Sequence, residues 1–267
     1  MRKPPGAHGR KPENRGSNPL GPANKNNKVY LDGKVMTEKV VFMWSGSKDS
    51  ALALHEILKT GNCEVVALMT TLTKDYDRVS VHGFQRVLLE QQAVSLGFPL
   101  EKVLISKDAR LENYEFEVRK GLIEFFKRGV SSVVFGDVSL EDVREYREKF
   151  LSKLNMKGIF PLWNRNTLKV AHEFISEGFK AVITCVDSKC LGKEFVGRIF
   201  DWEFIAELPA NVDPCGENGE FHSFVYDGPL FNRRILFNLG KTVLRENRFY
   251  YCDLMLSPPA KQESEVQ

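Results

Sequence analysis

Apolar positions follow two alternating spacings from Val40 onward. Val40-Val41-Phe42-Met43-Trp44 and Val65-Val66-Ala67-Leu68-Met69 are unbroken apolar runs of strand length, the pattern of strands buried on both faces. Between them, Ser50 to Leu58 carries Ala51, Leu54, Ile57 and Leu58 at helical spacing. A helix over His82 to Leu96, stopped by Gly97 and Pro99, leads to a strand at Val103-Leu104-Ile105. Then come a helix over Tyr114 to Phe126, a strand at Val133-Val134-Phe135 ending in Gly136-Asp137, and a charged helix over Leu140 to Leu154. Strands and helices alternating at this interval predict an α/β fold, a parallel sheet with helices on both faces.

After Gly158 the rhythm loosens. Phe160-Pro161-Leu162-Trp163 predicts a strand end turning into a helix that runs to Glu177, and Ala181-Val182-Ile183-Thr184 a further strand. Residues 201–230 read as loop, with Pro209, Pro214, Gly216, Gly219, Gly228 and Pro229. Arg234 to Leu239 and Phe249 to Leu256 predict a closing hairpin. The expected division is a nucleotide-binding domain over 39–157, a smaller C-terminal α/β substrate domain over 158–257, and a polar tail over 258–267. Residues 1–38 stand apart. Met1 to Lys28 is rich in Pro, Gly, Asn, Lys and Arg, with too few aliphatics to fold and no apolar face of the kind a mitochondrial presequence carries. Met36, directly before the first strand, is the expected true start, which makes the preceding residues an extension.

Composition narrows the class. With 38 basic against 35 acidic residues the net charge is +3, which argues against a strongly electrostatic nucleic-acid binder. The longest apolar runs are strand-sized, so no membrane span is expected and the chain is placed in the cytoplasm. Its five cysteines form no CxxC pair, which favours reduced thiols over a zinc ribbon or a disulfide framework.

The chemistry centres on Ser45-Gly46-Ser47-Lys48-Asp49-Ser50, at the carboxyl end of the first strand and the start of a helix. There the free N–H groups and the helix dipole favour an anion. Small residues let the backbone approach phosphate oxygens, Ser45 and Ser50 add hydroxyls, Lys48 adds positive charge, and Asp49 can hold Mg²⁺ or order the loop. A plain strand-to-helix turn, with Ser45 as the N-cap, is the alternative. The loop is neither GxxxxGK[ST] nor GxGxxG. It resembles the SGGxDS signature of the PP-loop ATP pyrophosphatase superfamily, with Ser47 in place of the second Gly. If that position needs a positive φ, Ser47 costs on the order of 1 kcal/mol.

A wider similarity, from Val40 to Phe231, is to the diphthine–ammonia ligase family and its bacterial relatives. It is carried by Trp44 to Ser50, His82-Gly83 with Arg86, Gly136-Asp137 before the helix bearing Arg144 and Arg147, Phe160-Pro161-Leu162-Trp163, and Leu191-Gly192. Its most specific part is Cys215-Gly216-Glu217-Asn218-Gly219-Glu220-Phe221-His222-Ser223, followed by Asp227-Gly228-Pro229-Leu230. The resemblance implies a Rossmann-like (HUP-type) sheet and an ATP site made of Ser45, Gly46, Ser47, Lys48, Asp49 and Ser50, with Met69 and Gly136. It further implies Mg²⁺ on Asp49 and Asp137, catalytic roles for Lys48, Asp49, Asp137 and Glu220, and substrate contacts from Glu217, Asn218, Glu220 and His222.

Several of these residues also have plainer roles. Asp137 can cap the helix that follows it. Arg144 and Arg147 share a helix face with Glu141, Asp142, Glu145 and Glu148 and read as a solvated charged surface. His82 fits a cap or packing residue, and Trp163 and Phe221 fit packing. Glu220 with His222 is thin support for a metal site.

The reaction that the resemblance implies is amide synthesis in two steps, adenylation of a carboxylate with release of pyrophosphate, then displacement of AMP by free ammonia. The loop from Glu217 to His222 would position the carboxylate or accept a proton from ammonium. The family's substrate is diphthine on elongation factor 2, and a bacterial chain would need another acceptor. A homo-oligomer is compatible with the sequence. A PP-loop tRNA-modifying enzyme and a non-catalytic adenine-nucleotide binder are the rival readings. The first lacks a suitably spaced cysteine pair, and its basic appendage would have to be the N-terminal segment; the second draws on Ser47.

Overall fold

The computed structural model describes residues 37–257 except Asp77 and residues 80–82, together with two short strands before them. The readings placed on the N-terminal extension, on Met36, on His82 and on the tail from Pro258 lie outside the described residues. Strands β1 (Tyr30–Leu31) and β2 (Lys34–Val35) pair antiparallel in a first unit that ends at Met36, and a second unit starts at Thr37.

In the second unit the predicted alternation is present. Its order is β3 (Glu38–Met43), α1 (Lys48–Thr60), β4 (Cys63–Thr73), β5 (Arg78–Val79), α2 (Arg86–Leu96), β6 (Leu100–Ile105), α3 (Leu111–Lys127), β7 (Ser132–Val134), α4 (Glu141–Ser152) and β8 (Lys157–Ile159). Strand β3 pairs in parallel with β4 and β7, β4 with β6, and β7 with β8, while β5 joins the far end of β4 antiparallel. Alternation along β3 sends Val40 and Phe42 into a core with α1 and α2 and Val41 into a second core with α3 and α4. Helices therefore cover both faces.

The remainder comprises α5 (Thr167–Ser176), β9 (Lys180–Asp187), α6 (Trp202–Glu207), β10 (Phe221–Asp227), β11 (Phe237–Arg245) and β12 (Phe249–Leu256). Its four strands form an antiparallel sheet ordered β10-β9-β12-β11, and β11 with β12 is the expected closing hairpin. The stretch read as loop over 201–230 in fact holds α6 and β10. Strand β10 is buried along most of its length, so it lacks the one-sided alternation that marks a half-exposed strand. Phe160 to Trp163 forms a turn after β8 rather than a strand end. Phe174, Ile183, Phe221 and Phe224 pack into the same core as Val40, Phe42, Leu52 and Leu88, so the antiparallel sheet and one face of the parallel sheet share an interior.

Candidate active site

Strand β3 ends and α1 begins across the loop Ser45 to Ser50. Gly46 takes φ +80°, a conformation that glycine adopts at little cost. Ser47 does not share it. Its backbone is extended, with φ −87° and ψ 171°, and its hydroxyl caps α1 by accepting from the Ser50 N–H. Thus the substitution that departs from the family signature carries no backbone strain, and the N-cap is Ser47 rather than Ser45. Ser45 Oγ lies 2.8 Å from Ser47 Oγ and 2.7 Å from Ser50 Oγ, so three hydroxyls cluster where the first turn of the helix opens. Replacing Ser47 with Gly, the residue of the usual signature, should lower stability by only a few tenths of a kcal/mol, through loss of the cap. A thermal melt checks this, and a variant more stable than wild type would mean that Ser47 is strained after all.

The loop is held from outside as well. Val225 of β10 donates its N–H to the Gly46 carbonyl at 3.0 Å. The Gln92 amide donates to the Gly46 and Val225 carbonyls at 3.0 and 2.6 Å and accepts from Trp44 Nε1 at 2.9 Å. Ser223 Oγ accepts from the Lys48 N–H at 3.2 Å. Gln92 is fully buried, so this clasp is shielded from water and ties the loop to both α2 and the second sheet. A polar residue on the apolar face of α2, beside Leu88, Leu89 and Leu96, was the sequence signal for it.

A cleft of about 730 Å³ opens at the carboxyl end of the parallel sheet, the place where such sheets take ligands. One wall carries Ser45, Ser47, Lys48, Asp49 and Ser50, then Thr70 and Thr71 of β4, and Gly136 and Asp137 after β7. The other carries Cys215 to Gly219 with His222 and Ser223, and Arg248 and Phe249 line the cleft as well. Lys48 joins the two walls. Its buried ammonium pairs with Asp49 at 2.7 Å, donates to the Cys215 carbonyl, and lies 5.4 Å from the centre of the Phe221 ring. Asp137 is paired with Arg147 at 2.7 Å, whose guanidinium lies over the Phe135 ring. Glu217 accepts from the Ser139 N–H at 3.2 Å.

Burial dominates the electrostatics. It pushes the Glu217 carboxyl up, and Asp49 adds to this, to about 7, with Lys48 opposing. It raises Asp137 in spite of Arg147, again with a contribution from Asp49. It lowers His222 to about 4, helped by Lys48, so the imidazole is neutral at physiological pH. Burial works against charge on Lys48 too, but Asp49, Cys215 and Glu217 outweigh it and hold the ammonium above its ordinary range.

The structure thus brings Ser45, Ser47, Lys48, Asp49, Ser50, Gly136, Asp137, Glu217, Asn218 and His222 to one cleft. Three expected residues stand outside its lining. Gly46 shapes the loop from behind. Met69 is fully buried in the second core, because β4 runs on to Thr73 and presents Thr70 and Thr71 at its open end instead. Glu220 is the larger correction. Its carboxylate accepts from the Asp213 N–H, the Asn218 N–H and the Asn218 side-chain amide at 3.1, 2.9 and 2.9 Å, all within its own loop. It is a brace, and Glu217 is the carboxylate that the loop presents. Arg147, read as part of a solvated face, belongs to the site through Asp137, whereas Arg144 does pair with its helix neighbour Glu148.

The donor set suits Mg²⁺. Asp49 and Asp137 are hard oxygen donors that both line the cleft. Among the described residues no group of three His, Cys, Asp or Glu side chains comes together as a metal cage. No described helix is long and apolar enough to cross a membrane.

Comparison with known proteins gives matching assignments for both halves of the chain. The diphthamide synthase N-terminal domain matches residues 38–158 and the diphthamide synthase C-terminal domain residues 166–253. Among similar proteins, the diphthine–ammonia ligase of Danio rerio is 26% identical over 78% of this chain and 90% of its own length. That of Homo sapiens is 27% identical over 77% and 85%. That of Schizosaccharomyces pombe is 25% identical over 86% of this chain, which spans only 41% of the yeast protein.

Proposed function

This chain belongs to the diphthamide synthase family, and on that premise we propose that it is an ATP-dependent ligase that adenylates a carboxylate and then replaces AMP with ammonia. The carboxylate is that of diphthine, the substrate in the relatives' names, which the reading places on elongation factor 2, or of a related acceptor if the chain is bacterial. The observation that carries the reading is the facing of two loops across one cleft, Ser45 to Ser50 on one wall and Cys215 to His222 on the other. One loop suits a phosphate chain and the other offers carboxylate and imidazole, so nucleotide and acceptor meet between them.

ATP is a substrate here, and a cleft of this volume accommodates it. The opening of α1 and the Ser45, Ser47 and Ser50 hydroxyls present donors to the β- and γ-phosphates. Lys48 meets the charge that grows on departing pyrophosphate, at a buried site where that interaction is little screened. Asp49 and Asp137 would hold Mg²⁺, which supplies further neutralisation of phosphate charge. Arg147 keeps Asp137 oriented toward the cleft. The extended backbone of Ser47 removes the observation that favoured a binder without turnover.

The test is the fate of α-³²P-ATP with elongation factor 2 carrying diphthine, ammonium and Mg²⁺. AMP that depends on both the protein substrate and ammonium is the expected product. ADP would mean attack at the γ-phosphate and would end this reading.

A further inference from the structure

We propose that Glu217 is the ammonium site, the residue that holds the incoming ammonium ion in the cleft and takes the protons its nitrogen must shed. The proposal rests on the ligase reading above and adds the group that handles its second nucleophile. Three acidic side chains line the cleft, and two are already committed, Asp49 to Lys48 and Asp137 to Arg147. Glu220, in the same loop as Glu217, is used up inside that loop. Among the described residues lining the cleft, Glu217 is the carboxylate in no ion pair. Its hydrogen-bond partners are neutral, the Ser139 N–H at 3.2 Å, the Ser139 hydroxyl at 3.5 Å and the Val138 N–H. A carboxylate with neutral partners at the wall of a cleft is complementary to a small cation.

The surroundings support the assignment. Lys48 and Asp49 act on Glu217 from α1 and Cys215 adjoins it in its own loop. Asp137 with Arg147, Arg248 paired with Asp187, Tyr114 of α3 and His222 of β10 complete the charged and titratable groups of the cleft. Burial and Asp49 place the Glu217 carboxyl at about 7, so it exchanges protons near neutrality. The neutral His222, held to about 4, is the weaker base. In the step itself, ammonium gives one proton to Glu217 and becomes ammonia, and Glu217 passes that proton to water. The nitrogen lone pair then attacks the acyl carbon of the adenylate and a C–N bond forms. The C–O bond to phosphate breaks and AMP leaves with its electron pair, while Glu217 takes the second nitrogen proton. The products are amide, AMP and two protons.

Glu217→Gln tests this, because Gln keeps an oxygen that can accept from Ser139 and removes the charge. Three readouts are needed with elongation factor 2 carrying diphthine: ATP–pyrophosphate exchange, amide formation from ammonium across pH, and hydroxamate formation from hydroxylamine, which is neutral at pH about 7 and needs no base to free it. Exchange and hydroxamate formation should stay within about threefold of wild type, while amide formation at neutral pH falls about 10²-fold. The amide rate should recover as pH nears the pKa of ammonium, where ammonia is supplied by the buffer. A variant that uses ammonium at the wild-type rate at neutral pH overturns the proposal. So does a parallel loss of exchange and hydroxamate formation, the mark of a brace between loops. Wild-type protein that shows no exchange brings down the ligase reading first, and this proposal with it.

Discussion

Lys48→Ala should reduce AMP formation about 10³-fold, the scale of loss when a preorganised electrostatic group is removed from a water-poor site. The size follows from what surrounds the ammonium. It is 4% exposed, it pairs with Asp49, and it touches the opposite wall through the Cys215 carbonyl. On the proposed reading, alanine removes the charge that would meet the pyrophosphate, and it leaves Asp49 without its partner. The loss should appear mainly in the rate constant at saturating ATP, because the helix N-terminus and the serine hydroxyls still supply ground-state contacts. Lys48→Arg should not restore activity, since a planar guanidinium does not fit where a compact ammonium sits between Asp49 and the Phe221 ring. Steady-state kinetics of AMP release on both variants, with a melting curve to confirm folding, checks the expectation. Activity within tenfold of wild type would remove Lys48 from the chemistry.

What was legible in the sequence followed from one-sided physical signals. The run Val40 to Trp44, followed at once by six small or polar residues, marks a buried strand that ends at an anion site, and the structure has that strand and that cleft. Less legible was whatever depends on how distant segments meet. Strand β10 could not be read, because one part of it packs in the core while Ser223 and Val225 close on the loop after β3. Which of two glutamates three residues apart faces the cleft was equally hidden. The outcome turned on Asp213 and Asn218 supplying three donors to Glu220. Arg147 looked like its acidic neighbours' partner because its true partner, Asp137, lies at the end of another element. For the same reason the sequence left open whether Ser47 is strained, as a φ value is set by the path of the chain and not by the motif it sits in.

Gly46→Ala should severely damage the fold of the site. At φ +80° an L-residue costs about 1–2 kcal/mol by itself. A Cβ there would also stand 2.6 Å from Gln92 Oε1, 2.7 Å from Phe84 Cζ and 3.0 Å from Leu89 Cδ1. All three side chains are buried, so none can swing into solvent, and overpacking of this kind adds about 1–3 kcal/mol. The total, about 2–5 kcal/mol, combines two independent causes acting on one atom. Gly61→Ala separates them. Gly61 also has a positive φ, at the end of α1, but nothing lies within 4 Å of its added Cβ, so it should lose only the conformational part. Denaturant melts should therefore rank wild type, Gly61→Ala and Gly46→Ala in that order. Because the Gly46 carbonyl is the acceptor for both Val225 and Gln92, the damage should reach function as well, with ATP-dependent AMP release lost in Gly46→Ala and retained in Gly61→Ala. Equal melting points for the two variants would mean that the clasp around Gly46 gives way, and that the second sheet does not fix the phosphate loop.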